Sequence, residues 1–132
     1  MTSPVTFTVL GPAALKGSTV SFIRRGRVVT KPDCRALWPW TQACGWAARQ
    51  AKVPLAPKGT GVTVEVVYEL PRPTRTVGRT HPCVRPDVDK LARALLDALT
   101  GIAYEDDGQV VALHVLKIYG PAPIARVTVA TV

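Results

Sequence analysis

Two periods organise the hydrophobic positions of this chain. Alternation is clearest where Val62, Val64, Val66, Tyr68 and Leu70 share one face and Thr63, Glu65 and Glu69 the other, the signature of a half-buried strand. Residues 5–10 (VTFTVL) read as an earlier strand ended by Gly11-Pro12. From Thr19 to Val29 two β-prone runs flank Arg24-Arg25-Gly26-Arg27, which predicts a hairpin with a basic tip. Helical spacing appears twice. Leu37, Trp40, Cys44, Ala47 and Ala51 recur at that period between Asp33 and Lys52, with Pro39 confined to the first turn or kinking the helix. Val88, Leu91, Leu95, Ala98 and Leu99 form a second stripe, with Asp89 placed to cap its start and Gly101 to end it. A turn over Tyr104 to Gly108 then leads into QVVALHVLKI at 109–118 and, after Gly120-Pro121, a last strand IARVTVATV.

The resulting order predicts an α+β fold: one domain over 1–132, with a mixed sheet of about five strands and two main helices. A chain of 132 residues can build one core without disulfide staples. The segment PRPTRTVGRTHPCVRP, at 71–86, has no hydrophobic period and is longer than ordinary connections. Trp38, Trp40 and Trp46 all fall on the first predicted helix, where a place in the core or at a dimer interface outweighs base stacking.

Composition narrows the partners. A formal net charge of +8 favours polyanions, of which nucleic acid is the commonest in cells. Three irregularly spaced cysteines are a poor disulfide framework. The start MTSPVTFTVL lacks the features of a signal peptide, and no apolar run is long enough to cross a bilayer. Together these lead to the expectation of a cytoplasmic protein without membrane attachment. Against this basic background, six of the nine acidic residues (Asp87, Asp89, Asp97, Glu105, Asp106, Asp107) lie in one short stretch.

That acidic focus carries the chemistry. Asp87 and Asp89 follow Pro86, which keeps Arg85 out of the helical region, so both carboxylates can point the same way. Paired like charges persist most easily where a cation or bound protons neutralise them, and all-oxygen ligands suit a hard divalent metal. The residues alone leave a plainer reading open, with Asp89 a helix cap and Asp106-Asp107 a solvated turn. A helix of about 12 residues is roughly 18 Å long, so only tertiary structure could return the later pair toward Asp87. His81, Cys83 and His114 lack the paired spacing of a zinc site.

The stretch RPDVDKLARALLDALTGIAYEDDGQV resembles the core signature of the RusA family of Holliday-junction resolvases, in which D-x-D-N opens a helix ending LLDALTG and a D-D-x-Q turn follows. More loosely, GPAALKGSTVSFIRRGRVVTKP resembles the family's opening strand, Lys-Gly and basic hairpin. The resemblance implies a RusA-like fold and a homodimer that makes paired cuts in branched DNA at a four-way junction, dependent on Mg²⁺ or Mn²⁺. Matching residue by residue, it implies that Asp87, Asp89 and Asp107 are the catalytic, metal-binding carboxylates, and that Arg93 stands where the family usually carries a catalytically important lysine. Arginine at that position keeps the charge but gives up proton transfer. Lys90 replaces the asparagine of the motif.

In that reading Arg93, with Lys90, faces negative charge developing on the phosphoryl oxygens. Arg24, Arg25 and Arg27 at the hairpin tip, with Arg72, Arg75, Arg79 and Arg85 in the long loop, contact backbone phosphates and make binding salt-dependent. The departures at Lys90 and Arg93 motivate an alternative, a non-catalytic or differently specific DNA-binding protein derived from such a nuclease.

Overall fold

The computed structural model describes residues 3–15, 19–32, 37–75 and 78–132, with backbone alone at 19–20 and 30–32. The Lys16-Gly17 pair and the residues Asp33 and Cys34, where the first helix is expected to begin, lie outside the described residues. The elements are β1 (Val5–Leu10), β2 (Thr19–Arg24), β3 (Arg27–Pro32), α1 (Leu37–Gln50), β4 (Val62–Pro71), α2 (Val88–Leu99), β5 (Val110–Gly120) and β6 (Ile124–Thr131), with a 3₁₀ turn at Asp107–Gln109. The class is α+β, as the periodicities imply. The six strands divide into a four-stranded sheet, β1-β6-β4-β5, and a separate two-stranded ribbon, β2-β3, in place of one sheet of about five.

The division has a local cause. After Gly11 (φ 103) the chain leaves the sheet, and Ala13, Ala14 and Leu15 run against the core before the ribbon begins. At the ribbon's far end Arg25 (φ 52) and Gly26 (φ 75) take the two left-handed positions of a tight two-residue turn. Arg24 pairs with Arg27 across it, so the basic tip is built as the sequence predicts.

In the main sheet β6 runs antiparallel to both β1 and β4, whereas β5 runs parallel to β4 and forms an outer edge. A parallel neighbour requires a crossover, and the loop of residues 72–87 with α2 supplies it. Phe7, Val9, Val62, Val64, Val66, Tyr68, Ala125, Val127 and Val129 are buried on one face beneath the two helices. The other face carries Glu65, Arg126 and His114 to solvent. Helix α2 buries Leu91, Leu95 and Leu99, each contributing about 1.5–3 kcal/mol by its removal from water. It ends at Thr100 as its C-cap, with Gly101 (φ 84) in the left-handed position that follows.

Helix α1 buries Trp40, Cys44 and Ala48, with Pro39 in its first turn. Its other two tryptophans lie outside the core of this chain: Trp38 is 70% exposed and Trp46 67% exposed, because they flank rather than share the buried stripe. No helix among the described residues is long and apolar enough to cross a membrane.

Candidate functional site

The entry of the chain into α2 positions the first two acidic residues. Asp87, not Asp89, is the N-cap: its backbone is extended (φ −75, ψ 138), and its carbonyl receives the first helical bond from Leu91 N at 3.1 Å. Asp89 falls inside the first turn, so the cap expected at Asp89 is corrected to Asp87. The Asp87 side chain makes no capping hydrogen bond and is exposed, as is Asp89. Both carboxylates therefore stay open at the positive end of the helix dipole, where negative charge is favoured.

Two contacts from the sheet hold this end in place. Tyr68 Oη, fully buried, donates to Leu91 O at 3.0 Å, and Lys117 Nζ donates to Val84 O at 2.6 Å and to Pro86 O at 2.8 Å. Lys117 thus fixes the backbone immediately before Asp87. Burial also drives the Tyr68 hydroxyl well above its ordinary pKa, with a smaller effect from Cys44, so it stays a hydrogen-bond donor.

The second acidic segment is built around Gln109. Its Oε1 accepts from Glu105 N (2.9 Å) and Asp106 N (3.0 Å), while its Nε2 donates to the carbonyls of Ala56 (3.3 Å), Pro57 (2.9 Å) and Thr60 (3.1 Å). One amide side chain thus staples the acidic turn to the loop before β4. Asp106 is consumed by the turn, accepting from Gly108 N at 3.2 Å in a capping box. Asp107 has no such duty and is exposed. It stands close enough to Tyr104 to help raise that buried hydroxyl's pKa; desolvation is the larger cause and Asp97 a further one. Tyr104 Oη in turn donates to Leu96 O at 2.7 Å, in the C-terminal half of α2.

These anchors place the acidic segments at opposite ends of one helix. Asp87 lies beside Lys117, near the C-terminal end of β5, whereas Asp107 precedes Val110, its first residue. The strand rises about 23 Å between those positions at about 3.3 Å per residue. Among the described residues no group of three or more His, Cys, Asp or Glu side chains is arranged to hold a metal. One protomer thus brings Asp87 and Asp89 onto one helix end and does not bring Asp107 to them.

The basic residues are distributed around the same framework. Arg93 is exposed on α2, one turn after Asp89, and Lys90 is partly exposed between them. Arg24, Arg25 and Arg27 are exposed at the ribbon tip, and Arg75 and Arg85 in the long loop. Arg72 is committed to structure: its guanidinium lies 4.3 Å from the ring centroid of Tyr119 and donates to Arg79 O. Sequence pattern assigns no role to Gln109, Lys117 or Tyr68. Gln109 stands inside the D-D-x-Q turn, whereas nothing local in the sequence marks the other two.

Two comparisons bear on this arrangement. The chain is similar to a protein of Bacillus subtilis (strain 168) carrying the name YqaN, described as uncharacterized, at 28% identity over 135 residues, covering 95% of this chain and 94% of that protein. The model of the family described as endodeoxyribonuclease RusA matches residues 20–130, a span that takes in the basic tip of the ribbon, both acidic segments and the paired strands β4 and β5. With most of its length matched, the chain belongs to the RusA family of endodeoxyribonucleases.

Proposed function

We propose that this protein is a Mg²⁺-dependent, structure-selective endodeoxyribonuclease that resolves four-way DNA junctions by paired phosphodiester cleavage, in recombination or repair. The observation that carries the reading is the family match over residues 20–130, which includes Asp87, Asp89 and Asp107. Their local geometry supports it: Asp87 caps with its backbone alone and Asp107 is spared by the turn that uses Asp106, so both carboxylates stand open to solvent. A divalent cation bound by such carboxylates supplies charge neutralisation and an activated water.

The chain's own residues have definable tasks. Arg93 and Lys90 offer positive charge beside Asp89 to a phosphodiester approaching the start of α2. The ribbon tip, with Arg75, Arg79 and Arg85, holds flanking backbone phosphates. Lys117 and Tyr68 keep the Asp87 end of the helix fixed against the sheet. Hydrolysis would leave 5′-phosphate and 3′-hydroxyl ends.

The test compares a synthetic four-way junction with a fork and a linear duplex, each with Mg²⁺, Mn²⁺ or a chelator. Metal-dependent, symmetric cutting of the junction, lost in Asp87→Asn, is the expected result. Cutting of forks or duplex at equal rates would reject junction selectivity. Tight junction binding without cleavage under any metal would instead favour the DNA-binding alternative, which the Lys90 and Arg93 replacements motivate.

A further inference from the structure

The face that α1 turns to solvent is not an ordinary solvated face. Its buried stripe is Trp40, Cys44, Gly45 and Ala48, and the opposite side carries Trp38, Gln42, Trp46, Arg49 and Gln50, all exposed. Outer faces of helices usually mix charges of both signs. This one holds two indole rings, two amides and one guanidinium, and the sequence has no carboxylate from residue 34 to residue 64. Between this helix and β1 runs a groove of about 480 Å³. Phe7, Leu10, Ala43 and Trp46 give it apolar walls, and Thr8 and Gln50 are its polar groups.

The chemistry of the groove selects its occupant. Apolar walls that include an indole, with a hydroxyl and an amide beside them, suit a planar heterocycle that has hydrogen-bonding edges. A nucleobase is such a ring, and its face stacks on an aromatic side chain whatever the sequence. Bases inside a duplex keep their faces covered, so only an unpaired or extruded base can enter. The surroundings match a polynucleotide as well. The ribbon with exposed Arg24, Arg25 and Arg27 is the next element after β1, and exposed Arg49 and Lys52 lie at the other end of α1. Trp38 stands eight residues before Trp46, about 12 Å along the helix, which is the reach of three or four stacked nucleotides at about 3.4 Å each. A second copy of this chain, equally basic, brings no complementary charge to this face.

We propose that the groove between β1 and α1 binds an unpaired nucleobase stacked on Trp46, with Trp38 engaging the same strand further along. This rests on the DNA-nuclease reading above and deepens it: unpaired bases at a branch, and not the backbone charge alone, are part of what the chain selects.

Binding measured in the presence of a chelator, so that no metal-dependent cutting intervenes, tests it. The probes are a short oligo(dT) and a duplex of the same length. Oligo(dT) is expected to quench the tryptophan emission of the wild type. Trp46→Ala and Trp46→Leu should each lose at least about fivefold in oligo(dT) affinity, as removal of one stacking ring does, with duplex affinity held within about twofold. The leucine variant keeps an apolar contact but no ring, and Trp46→Phe, which keeps a ring, should retain most of the binding. Trp46 is 67% exposed, so all three variants should melt within a few degrees of wild type. Unchanged oligo(dT) affinity in the alanine and leucine variants would overturn the proposal, as would equal losses on oligo(dT) and duplex, or a wild type with no affinity for oligo(dT). A wild-type dimer that Trp46→Ala converts to monomer in ultracentrifugation would assign the face to a second copy instead and overturn it too. The nuclease reading fails separately. Trp46-dependent oligo(dT) binding by a protein that cuts no junction with Mg²⁺ or Mn²⁺ would uphold the groove and reject the nuclease, whereas junction cutting beside Trp46-independent binding would reject the groove alone.

Discussion

At the scale of single residues, adjacent or near-adjacent side chains of the same type do different work. Asp106 spends its carboxylate on the 3₁₀ turn, whereas Asp107 leaves its own in solvent. Asp106→Ala should therefore lower stability by about 0.5–2 kcal/mol, the usual cost of removing a cap, and Asp107→Ala should be nearly neutral in urea denaturation. Under the proposed metal-dependent chemistry cleavage should show the opposite order, with Asp107→Ala falling by roughly 100-fold or more and Asp106→Ala retaining most activity, since a carboxylate that would hold the cation is lost only in the first. Gln109→Ala removes the amide that joins the turn to the loop at 56–60 and should cost about 1–3 kcal/mol, together with slower cleavage through a displaced Asp107. Sequence pattern does not separate Asp106 from Asp107; only the family resemblance singles out the second. Pattern also places the helix cap on Asp89, because an aspartate before an apolar stripe is a sound cap signal whether or not another stands two residues earlier. The register of the first turn, set by the Leu91 to Asp87 hydrogen bond, decides between them.

At the scale of elements, legibility follows periodicity. β4 and α2 are plain because each buries one face and leaves the other wet. β5 is recognisable as a strand but not as an edge: QVVALHVLKI does not alternate, and nothing in it states that one side lacks a neighbour. The ribbon is legible with its basic tip, though not its separation from the sheet. Exposed Trp38 and Trp46 correct the core half of the expectation, since helical spacing fixes which residues share a face but not how wide the covered face is. The ribbon's independence makes a clean experiment. Substituting Arg24, Arg25 and Arg27 together by alanine should leave the thermal midpoint within a few degrees of wild type while weakening junction binding. The slope of log affinity against log salt should become shallower by about 0.9 for each phosphate that the variant no longer neutralises. An unchanged slope would remove the ribbon from the DNA interface.

At the scale of the whole molecule, the charge plan is a basic surface over a core whose titratable groups are held neutral. Burial pushes the Cys44 thiol from 9.0 up to about 12, and it raises the Tyr68 and Tyr104 hydroxyls above their ordinary value of 10.0. Groups with raised folded pKa values bind more protons in the folded state, so stability is complete below the unfolded pKa and is lost as pH climbs toward the folded value. Urea midpoints should accordingly hold steady up to about pH 9 and decline progressively above it, and Cys44→Ala or Tyr68→Phe should make that alkaline decline shallower than in wild type. A profile that stays flat well above the ordinary thiol pKa would show that these groups are not held neutral.

The Gln109 amide also has a mechanical meaning. Its five hydrogen bonds make the acidic turn and the loop at 56–60 one body, so the turn cannot swing without drawing the entry to β4 along or breaking those bonds. Amide exchange reads this directly: Gln109→Ala should speed exchange at Glu105 N and Asp106 N, which lose their acceptor. The acidic turn is thus a lever hinged on a single side chain.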